Sequence, residues 1–469
     1  MADELCYIPA TDAIAAFKAR KLSPLELVDA LIARIEKVNP KVNAFTYTFF
    51  DRAREQARRA EALYGAGNAR KLEGVPIVIK DQHEMKGEIT THGSRLFEHN
   101  VDTKSQPFVD RILRAGAIVI GRSTTSEFAS ATVLHTPLWG VTRNPWNLRY
   151  STGGSTGGGA ASVASGMTTL SDGGDFAGSI RIPASSCGVF GFKPPSGRVP
   201  MLPPGNFNDH VSHGPIARTV ADGALLYGVM AGPDPIDMTA LPGRPPIPKK
   251  FQSLKGWKVA YSPDLGFFEI VPEVAKAVRE SLDAFRELGC EIEEIDLGWD
   301  ERTVLAFLVQ SRELGFRRPQ DMTTKERKQL ADYILYRPKR LARAKHLRYT
   351  DALLIRMEMY EKLRPFMARN RILLCPTLSV PAVGATHSPI DFSYSINGRK
   401  VEPGIGWCLS FPFNMLGSLP AATVPCGFAK SGVPIGLQIV GRPLDDASVF
   451  HAAAAFEKAR PWAGIHPTL

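Results

Sequence analysis

Long hydrophobic runs, paired cysteines and a leader-like start are all missing from this 469-residue sequence. No stretch approaches the roughly 18 apolar residues needed to cross a membrane. The first residues, MADELCYIPATD, include two acidic residues and no apolar run, so we expect no secretory signal. The six cysteines show no pairing or CxxC spacing, which argues against a disulfide framework or a zinc site. Such cysteine usage is typical of a reducing compartment, and the expected location is the cytoplasm.

Metal and nucleotide motifs are scarce as well. The ten histidines form no HExxH or comparable group, and we interpret DQHE at 81–84 as solvent or loop contacts. The glycine-rich loops lack the lysine that follows the last glycine of a P-loop. No G-x-G-x-x-G follows a strand with an acid in the expected place. The sequence therefore predicts no metal and no organic cofactor.

Positive charge is in excess, since 57 Lys and Arg residues against 47 Asp and Glu give a net charge of +10. Much of the excess lies in RPKRLARAKHLR at 337–348. A basic helix can bind nucleic acid or an anionic surface, but no interleaved aromatic residues or nucleic-acid motif accompany this one. We favour a solvated helix face with Leu341, Ala344 and Leu347 turned inward. We therefore expect no nucleic-acid partner and no membrane partner.

Hydrophobic periodicity predicts an α/β protein. The segment SPLELVDALIARIEKV at 23–38 combines a capping box with the apolar spacing of a helix. Short apolar runs at 74–81 and 117–123 are typical of buried strands, and strand patterns return after residue 255. Strands that alternate with helices favour a large mixed, mostly parallel central sheet covered by helices on both faces.

A segment rich in Pro and Gly at 231–255 is the best candidate for a linker. Strand patterns recur on both sides of it, so we expect one composite sheet and a single domain over 1–469. A predominantly helical insertion is predicted at 300–369. The remaining parts are a helical N-terminal segment at 1–70, a core at 71–230 and a C-terminal part at 256–469.

Glycine and small hydroxyl residues are concentrated in two loops, at 153–159 and 173–179. Each loop has a serine near its centre, Ser155 and Ser179. Glycine lets other groups approach the backbone closely, which indicates a small ligand or a reacting group. GGSTG in the first loop also fits the G-x-S-x-G nucleophile elbow, but that motif needs a strand before its serine. The preceding NPWNLRYST is turn-rich, so we do not favour an α/β-hydrolase.

A serine nucleophile needs a base, and Lys80 at the end of an apolar strand is a candidate. A lysine must be neutral to accept a proton, whereas its reference pKa is about 10.4. Burial away from anions lowers that pKa by up to about 3–5 units. The alternative is a lysine that leaves the sheet edge into water. The residues by themselves leave both interpretations open.

Three segments in this order, GVPIVIKD, STGGSTGGGAASVASG and GGDFAGSIRIPASSCG, resemble the amidase signature family of serine hydrolases. TRNPWN at 142–147, GPIARTVADGA at 214–224 and LPAATVPCGFAKSGVPIGLQIVGRP near the C-terminus resemble further family segments. The resemblance covers almost the whole chain and implies the amidase signature fold.

The resemblance also implies a Ser–cis-Ser–Lys triad. Ser179 corresponds to the nucleophile that becomes acylated, Ser155 to the bridging serine and Lys80 to the base. The oxyanion hole would be formed by backbone N–H groups of Phe176, Ala177, Gly178 and Ser179. The resemblance requires no metal or organic cofactor.

Two departures from the family pattern stand near these residues. Thr156 replaces the usual second serine of the first loop, which we expect to be tolerated. Phe176 and Ala177 stand where the family commonly has a small or β-branched residue followed by glycine. A positive φ at Ala177 would be strained, and Phe176 would add an aromatic wall beside the acyl group.

The expected function is hydrolysis of a small, largely apolar amide, with aryl amides and carbamates as candidate classes. The nearest alternative is the glutamine amidase subunit of a tRNA-dependent amidotransferase, which shares the triad and works in a complex. A non-catalytic binding protein on the same scaffold is disfavoured by the complete triad. We expect a monomer or homodimer whose pocket is shaped by the insertion and by the loop at 200–213.

Overall fold

The structure, a computed structural model, describes residues 2–248, 250–313 and 321–469. Residues 314–320 of the predicted insertion and Lys249 of the predicted linker lie outside these ranges. The statements that follow concern the described residues.

Helices and strands alternate along most of the chain. The helices are α1 (Ala2–Leu5), α2 (Ala10–Lys18), α3 (Pro24–Val42), α4 (Phe50–Gly65), α5 (Pro107–Arg114), α6 (Gly157–Ala164), α7 (Arg181–Cys187), α8 (Val220–Met230), α9 (Pro272–Glu287), α10 (Arg302–Glu313), α11 (Thr324–Arg327), α12 (Asp332–Leu335), α13 (Arg337–Leu341), α14 (Tyr349–Arg369), α15 (Pro412–Met415) and α16 (Asp446–Ala459). The strands are β1 (Phe45–Thr48), β2 (Pro76–Lys80), β3 (Ile118–Ser123), β4 (His135–Thr136), β5 (Gly140–Val141), β6 (Leu170–Asp175), β7 (Phe190–Lys193), β8 (Ser212–Ala217), β9 (Lys258–Tyr261), β10 (Glu291–Glu294), β11 (Ile372–Pro376), β12 (Ser395–Ile396), β13 (Arg399–Lys400), β14 (Ala421–Phe428) and β15 (Pro434–Gly441). None of these helices is long and apolar enough to cross a membrane.

Eleven strands form one sheet in the order β1-β3-β2-β6-β8-β7-β14-β15-β11-β9-β10. Of its ten described pairings, four are parallel and six are antiparallel, so the sheet is mixed as predicted, but parallel pairings are not the majority that was expected. The pairing of β7 with β14 joins strands from the two sides of 231–255. The chain before and after that segment therefore shares one sheet.

Both faces of the sheet are covered. On β2, Ile77 and Ile79 pack into a core with residues of α5, α8, α9 and α16. Val78 packs on the opposite face with residues of α3, α6 and α7. Because side chains alternate along a strand, Lys80 points to the same face as Val78. The buried end of β2 therefore faces the two helices that follow the serine loops.

Most of the predicted elements are present. The helix at 23–38 is α3, and its capping box is formed because Glu26 accepts from the Ser23 backbone N–H at 2.7 Å. The prediction of a loop over 173–179 is wrong for its first three residues, since β6 continues to Asp175. Glycine is unusual within a strand, but a Cβ at Gly174 would lie 3.1 Å from the His83 ring and 3.2 Å from the His213 ring. Close packing of two imidazoles thus explains this glycine.

The basic segment at 337–348 is not a simple solvated face. As predicted, Ala344 is buried and Leu341 and Leu347 pack against a hydrophobic core. Two of its arginines also turn inward, however. Arg337 donates to the Ser311 carbonyl at 2.7 Å, and Arg340 forms an ion pair with Glu402. Part of the basic excess therefore anchors the helices of the insertion.

We predict that the Leu437→Ala substitution lowers the melting temperature by several degrees. Leu437 on β15 is fully buried in the core that contains Ile77 and Ile79, and a Leu→Ala change in a core costs about 2–5 kcal/mol. Leu354 on α14 is 58% exposed, so Leu354→Ala serves as the control and should shift the midpoint by less than about one degree. Equal shifts in the two variants, measured by thermal unfolding, would contradict the described core.

Candidate active site

Lys80 and Ser155 meet inside the protein. The Lys80 Nζ donates to the Ser155 Oγ at 2.7 Å, and both residues are fully buried. Lys80 ends β2, whereas Ser155 follows a cis peptide bond with Gly154 and lies just before α6. The alternative in which Lys80 leaves the sheet edge into water is therefore wrong. It fails because the helices on that face cover the end of β2.

The surroundings of Lys80 weaken its hold on a proton. Burial lowers the pKa of Lys80, while the negative charges of Asp172 and Asp175 raise it, and the result is about 7. An amine with this pKa is about half neutral near pH 7. Lys80 can therefore accept a proton through its hydrogen bond to Ser155 at neutral pH.

Ser179 lies in a loop that a buried carboxylate folds into shape. Asp175 ends β6, and its two oxygens accept from the Gly178 N–H at 2.8 Å and the Ile180 N–H at 3.2 Å. The Thr156 N–H donates to the Ser179 carbonyl at 3.1 Å. This last bond joins the Ser179 loop directly to the residue after Ser155. The three predicted catalytic residues are thus brought to one face of the sheet.

The Ser179 loop leaves backbone N–H groups available for a ligand. No described residue accepts a hydrogen bond from the N–H of Phe176, Ala177 or Ser179. The N–H of Gly178, which the sequence also suggested for an oxyanion hole, instead donates to Asp175. An anion at this loop would therefore accept hydrogen bonds from the N–H groups of Phe176, Ala177 and Ser179.

Gly178 carries the unusual backbone conformation of the loop. Its φ is +110°, and a Cβ there would lie only 1.9 Å from the Ser410 Oγ. That hydroxyl donates to the Ala177 carbonyl at 2.9 Å, so it cannot easily move away. Ala177 itself is not among the described non-glycine residues with a positive φ. The backbone strain expected of a positive φ at Ala177 is therefore absent, because Gly178 is the residue of this loop that adopts the positive φ.

The loop is fixed by an ion pair that the sequence reasoning missed. Arg181, the first residue of α7, lies 3.0 Å from Asp175, and both side chains are fully buried. Burial raises the pKa of Asp175, but the charge and hydrogen bonds of Arg181 outweigh it and bring that pKa down to about 2. Arg181 also donates to Gln438 and Asn414, both at 2.6 Å. The sequence does contain a signal for this pair, because Asp175 and Arg181 are an acidic and a basic residue six positions apart in a stretch of otherwise small and apolar residues.

The segment at 81–84 is more buried than the sequence predicts. Asp81 and His83 are buried, so the prediction of solvent contacts is wrong for them, whereas the predicted loop contact is present between Asp81 and Thr91. The His83 Nδ1 lies 2.5 Å from the Asp172 Oδ2. The chain turns inward after β2 because these polar groups find partners in the core. Within the described ranges, no cluster of three or more His, Cys, Asp or Glu side chains could hold a metal ion.

Aromatic rings flank the Ser179 loop. Phe176 stacks on His210 with ring centroids 5.8 Å apart and contacts Phe307 of α10 at 5.4 Å. Phe307 in turn contacts Phe411, whose ring lies 5.9 Å from that of Phe268. The loop at 200–213 and the insertion therefore both supply rings beside Phe176.

A cavity of about 650 Å³ lies at the far end of this row of rings. Phe268, Leu308, Lys339 and Arg343 are among its lining residues. None of the three predicted catalytic residues lines it. The insertion thus forms one wall of a cavity that the aromatic row links to the Ser179 loop.

We predict that Gly178→Ala displaces the loop and destabilises the protein. A side chain at this φ costs roughly 1–3 kcal/mol, and the contact with Ser410 adds to that cost. Gly205 has no atom within 4 Å of its would-be Cβ, so Gly205→Ala is the control. Thermal unfolding should show a lower midpoint for Gly178→Ala alone. A Gly178→Ala variant as stable as the control would contradict the described loop.

Comparison with known proteins identifies the family of this chain. The Amidase family model matches residues 26–450. The chain is 36% identical to an acylamidase of Rhodococcus erythropolis, covering 99% of this chain and 98% of that one. It is 32% identical to a glutamyl-tRNA(Gln) amidotransferase subunit of Anaeromyxobacter dehalogenans (strain 2CP-C), covering 97% of both chains.

Solved structures give the same result. A bacterial aryl acylamidase of the amidase signature family superimposes with a TM-score of 0.87, at 29% identity and 97% coverage of both chains. The 6-aminohexanoate cyclic dimer hydrolase, complexed with substrate, superimposes with a TM-score of 0.83, at 26% identity and 99% coverage of both chains. The chain belongs to the amidase signature family, whose enzymes hydrolyse amide C–N bonds.

Proposed function

We propose that the protein hydrolyses small, largely apolar amides through an acyl-enzyme on Ser179, with Ser155 as proton bridge and Lys80 as base. The observation that carries this proposal is the buried 2.7 Å hydrogen bond between Lys80 and Ser155. A buried lysine whose pKa is about 7 and whose amine is bonded to a serine hydroxyl is suited to accept that hydroxyl's proton.

Acylation begins when the Ser179 Oγ attacks the amide carbonyl carbon. The Ser179 proton passes to the Ser155 Oγ, whose own proton passes to neutral Lys80. The carbonyl oxygen becomes an oxyanion, which the free N–H groups of Phe176, Ala177 and Ser179 stabilise. The C–N bond then breaks as the proton on Lys80 returns through Ser155 to the leaving nitrogen. The amine departs and the acyl group stays on Ser179.

Deacylation repeats these proton transfers with water as the nucleophile. Water attacks the ester carbonyl and gives its proton through Ser155 to Lys80. The C–O bond to Ser179 then breaks, and the proton returns to the Ser179 oxygen. The products are a carboxylic acid and the regenerated enzyme.

The surroundings of Phe176 favour an apolar acyl or aryl group. Its ring lies between His210 and Phe307, and burial lowers the pKa of His210 to about 4. A neutral imidazole and two phenyl rings form an uncharged wall, which suits an aromatic or aliphatic substrate. The similarity to an acylamidase and an aryl acylamidase supports the same substrate class. Carbamates of similar shape are included in the proposal. The described part of the chain contains no disulfide bond, which suits the proposed cytoplasmic location.

We predict that a fluorophosphonate labels Ser179 and no other serine. Peptide mapping by mass spectrometry should find the adduct on Ser179, and Ser179→Ala should abolish it. Lys80→Ala should slow labelling at neutral pH by at least about 100-fold, because general-base catalysis contributes that much. Lys276 is an exposed lysine whose partner is Glu280, so Lys276→Ala is the matched control. Labelling of Ser155, or normal labelling of Lys80→Ala, would contradict the assigned roles.

We predict that anilides such as 4-nitroacetanilide are hydrolysed with a higher kcat/KM than L-glutamine. Phe176→Ala should lower kcat/KM for the anilide by about tenfold, since an aromatic contact contributes about 0.5–1.5 kcal/mol beyond its buried area. The same assay with an ester and a carbamate ranks the remaining classes. Faster hydrolysis of glutamine would favour the amidotransferase function, which belongs to a relative 32% identical to this chain.

A further inference from the structure

The end of β2 that carries Lys80 is held by a side chain. Backbone pairing between β2 and β6 includes Ile77 with Leu170 and Val78 with Ser171. Beyond it, the Lys80 backbone N–H donates to the Asp172 Oδ1 at 2.8 Å. The carboxylate therefore serves as acceptor where a strand carbonyl would otherwise do so.

His83 fixes the other oxygen of the same carboxylate. Its Nδ1 lies 2.5 Å from the Asp172 Oδ2, and its backbone N–H donates to the Lys80 carbonyl at 3.0 Å. Because a carboxylate only accepts, the His83 Nδ1 carries the hydrogen of this bond. The two side chains and Lys80 are each at most 2% exposed. The turn after β2 is thus closed by a main-chain bond and by a bond through Asp172.

The carbonyls of this turn are also satisfied from the neighbouring strand. Arg122 on β3 donates to the Lys80 carbonyl at 3.2 Å and to the His83 carbonyl at 2.8 Å. Lys80 therefore has both its backbone N–H and its backbone C=O fixed by buried polar groups. The direction of its side chain toward Ser155 follows from that fixed backbone.

The two carboxylates that act on Lys80 differ in their partners. Asp175 is paired with Arg181 at 3.0 Å, whereas Asp172 is bonded to an imidazole and a backbone N–H. Burial lowers the pKa of Lys80, and Asp172 is the stronger of the two anions that oppose this. Other charged or titratable groups around this end of β2 include Asp81, His83, Glu84, Arg122 and His213. The negative charge of Asp172 therefore adds to the Ser155 hydrogen bond in stabilising a cation formed on Lys80.

We propose that Asp172 and His83 are a positioning pair for Lys80, which fixes its backbone and supplies the negative charge that makes it a strong enough base. In the proton transfers described above, Lys80 becomes a cation at each attack step. A nearby anion stabilises that cation, and a base that is too weak cannot take a serine proton. Neither residue touches the reacting atoms in this proposal. The proposal rests on the proposed function, because it assumes that Lys80 accepts the Ser155 proton.

The test measures the rate constant of Ser179 labelling by a fluorophosphonate as a function of pH. The wild-type rate should rise with pH to a plateau, with its midpoint near 7, because only neutral Lys80 is a base. In Asp172→Asn the midpoint should lie about one pH unit lower, because losing a nearby opposite charge disfavours the protonated form. A merely structural role would lower the rate without moving the midpoint. An unchanged midpoint would overturn the proposal.

Asp222→Asn is the matched control for loss of a buried carboxylate. Asp222 accepts from the backbone N–H groups of Ala10 and Thr11, both at 2.9 Å, and ties α8 to α2. It is not among the groups that act on Lys80. Its variant should keep the wild-type midpoint. A shift equal to that of Asp172→Asn would show that the effect is not specific and would also overturn the proposal.

A second pair of variants tests the proposal even if Asp172→Asn does not fold. The amide nitrogen of an asparagine can take the place of the His83 Nδ1, so His83→Asn keeps the donor and His83→Leu removes it. Because a hydrogen bond to a charged group is among the stronger ones in proteins, His83→Leu should lose at least about tenfold in plateau rate. His83→Asn should regain most of that loss. Equal rates in the two variants would overturn the proposal.

The same experiments separate this proposal from the proposed function. A wild-type protein that is not labelled on Ser179 would overturn the proposed function and this inference with it. A wild-type protein that is labelled on Ser179, with unchanged midpoints in the variants, would overturn the inference alone.

Discussion

The hydrogen bond between Lys80 and Ser155 lies in an interior from which water is excluded, and much of the surrounding structure keeps the Lys80 amine buried there. An ammonium is costly to bury, so the buried lysine shifts toward its neutral form, and burial is the largest cause of its lowered pKa. The strand that carries Lys80 is covered on both faces, and α6 begins two residues after Ser155. The sheet and its helices thereby lower the pKa of this lysine, as the proposed role of a base requires.

The same interior also holds charges that must stay ionised. Asp175 keeps its negative charge because Arg181 is 3.0 Å away and backbone N–H groups point at its oxygens. The site thus contains a buried lysine with a lowered pKa and a buried ion pair within one short stretch of sheet and loop. Small residues make this possible, since a Cβ at Gly178 would collide with the Ser410 hydroxyl. The close packing at Gly178 and the placement of the Asp175 charge are therefore linked, because the Gly178 N–H is one of the donors to Asp175.

Local patterns predict the parts of the fold that depend on local physics. The apolar run ending at Lys80 and the capped helix at 23–38 are predictable because burial and capping leave clear patterns. β6 and β8 are not predictable in this way, because both strands are rich in glycine and polar residues. Their polar side chains find partners far away in the sequence, as Asp172 does in His83. Lys80, Ser155 and Ser179 come from the family resemblance. The contacts that Asp172, Asp175 and Arg181 make with this site are visible only in the three-dimensional structure.

The most direct test of Lys80 as a neutral base is the titration of its side chain. Protein labelled with ¹³C at the lysine ε-carbon, with the Lys80 signal assigned from its loss in Lys80→Arg, allows that titration to be followed by NMR. We expect a midpoint at a pH of about 7, well below the signals of the exposed lysines. A Lys80 signal that titrates with them, near the reference value of about 10.4, would contradict the claim that this lysine acts as a neutral base.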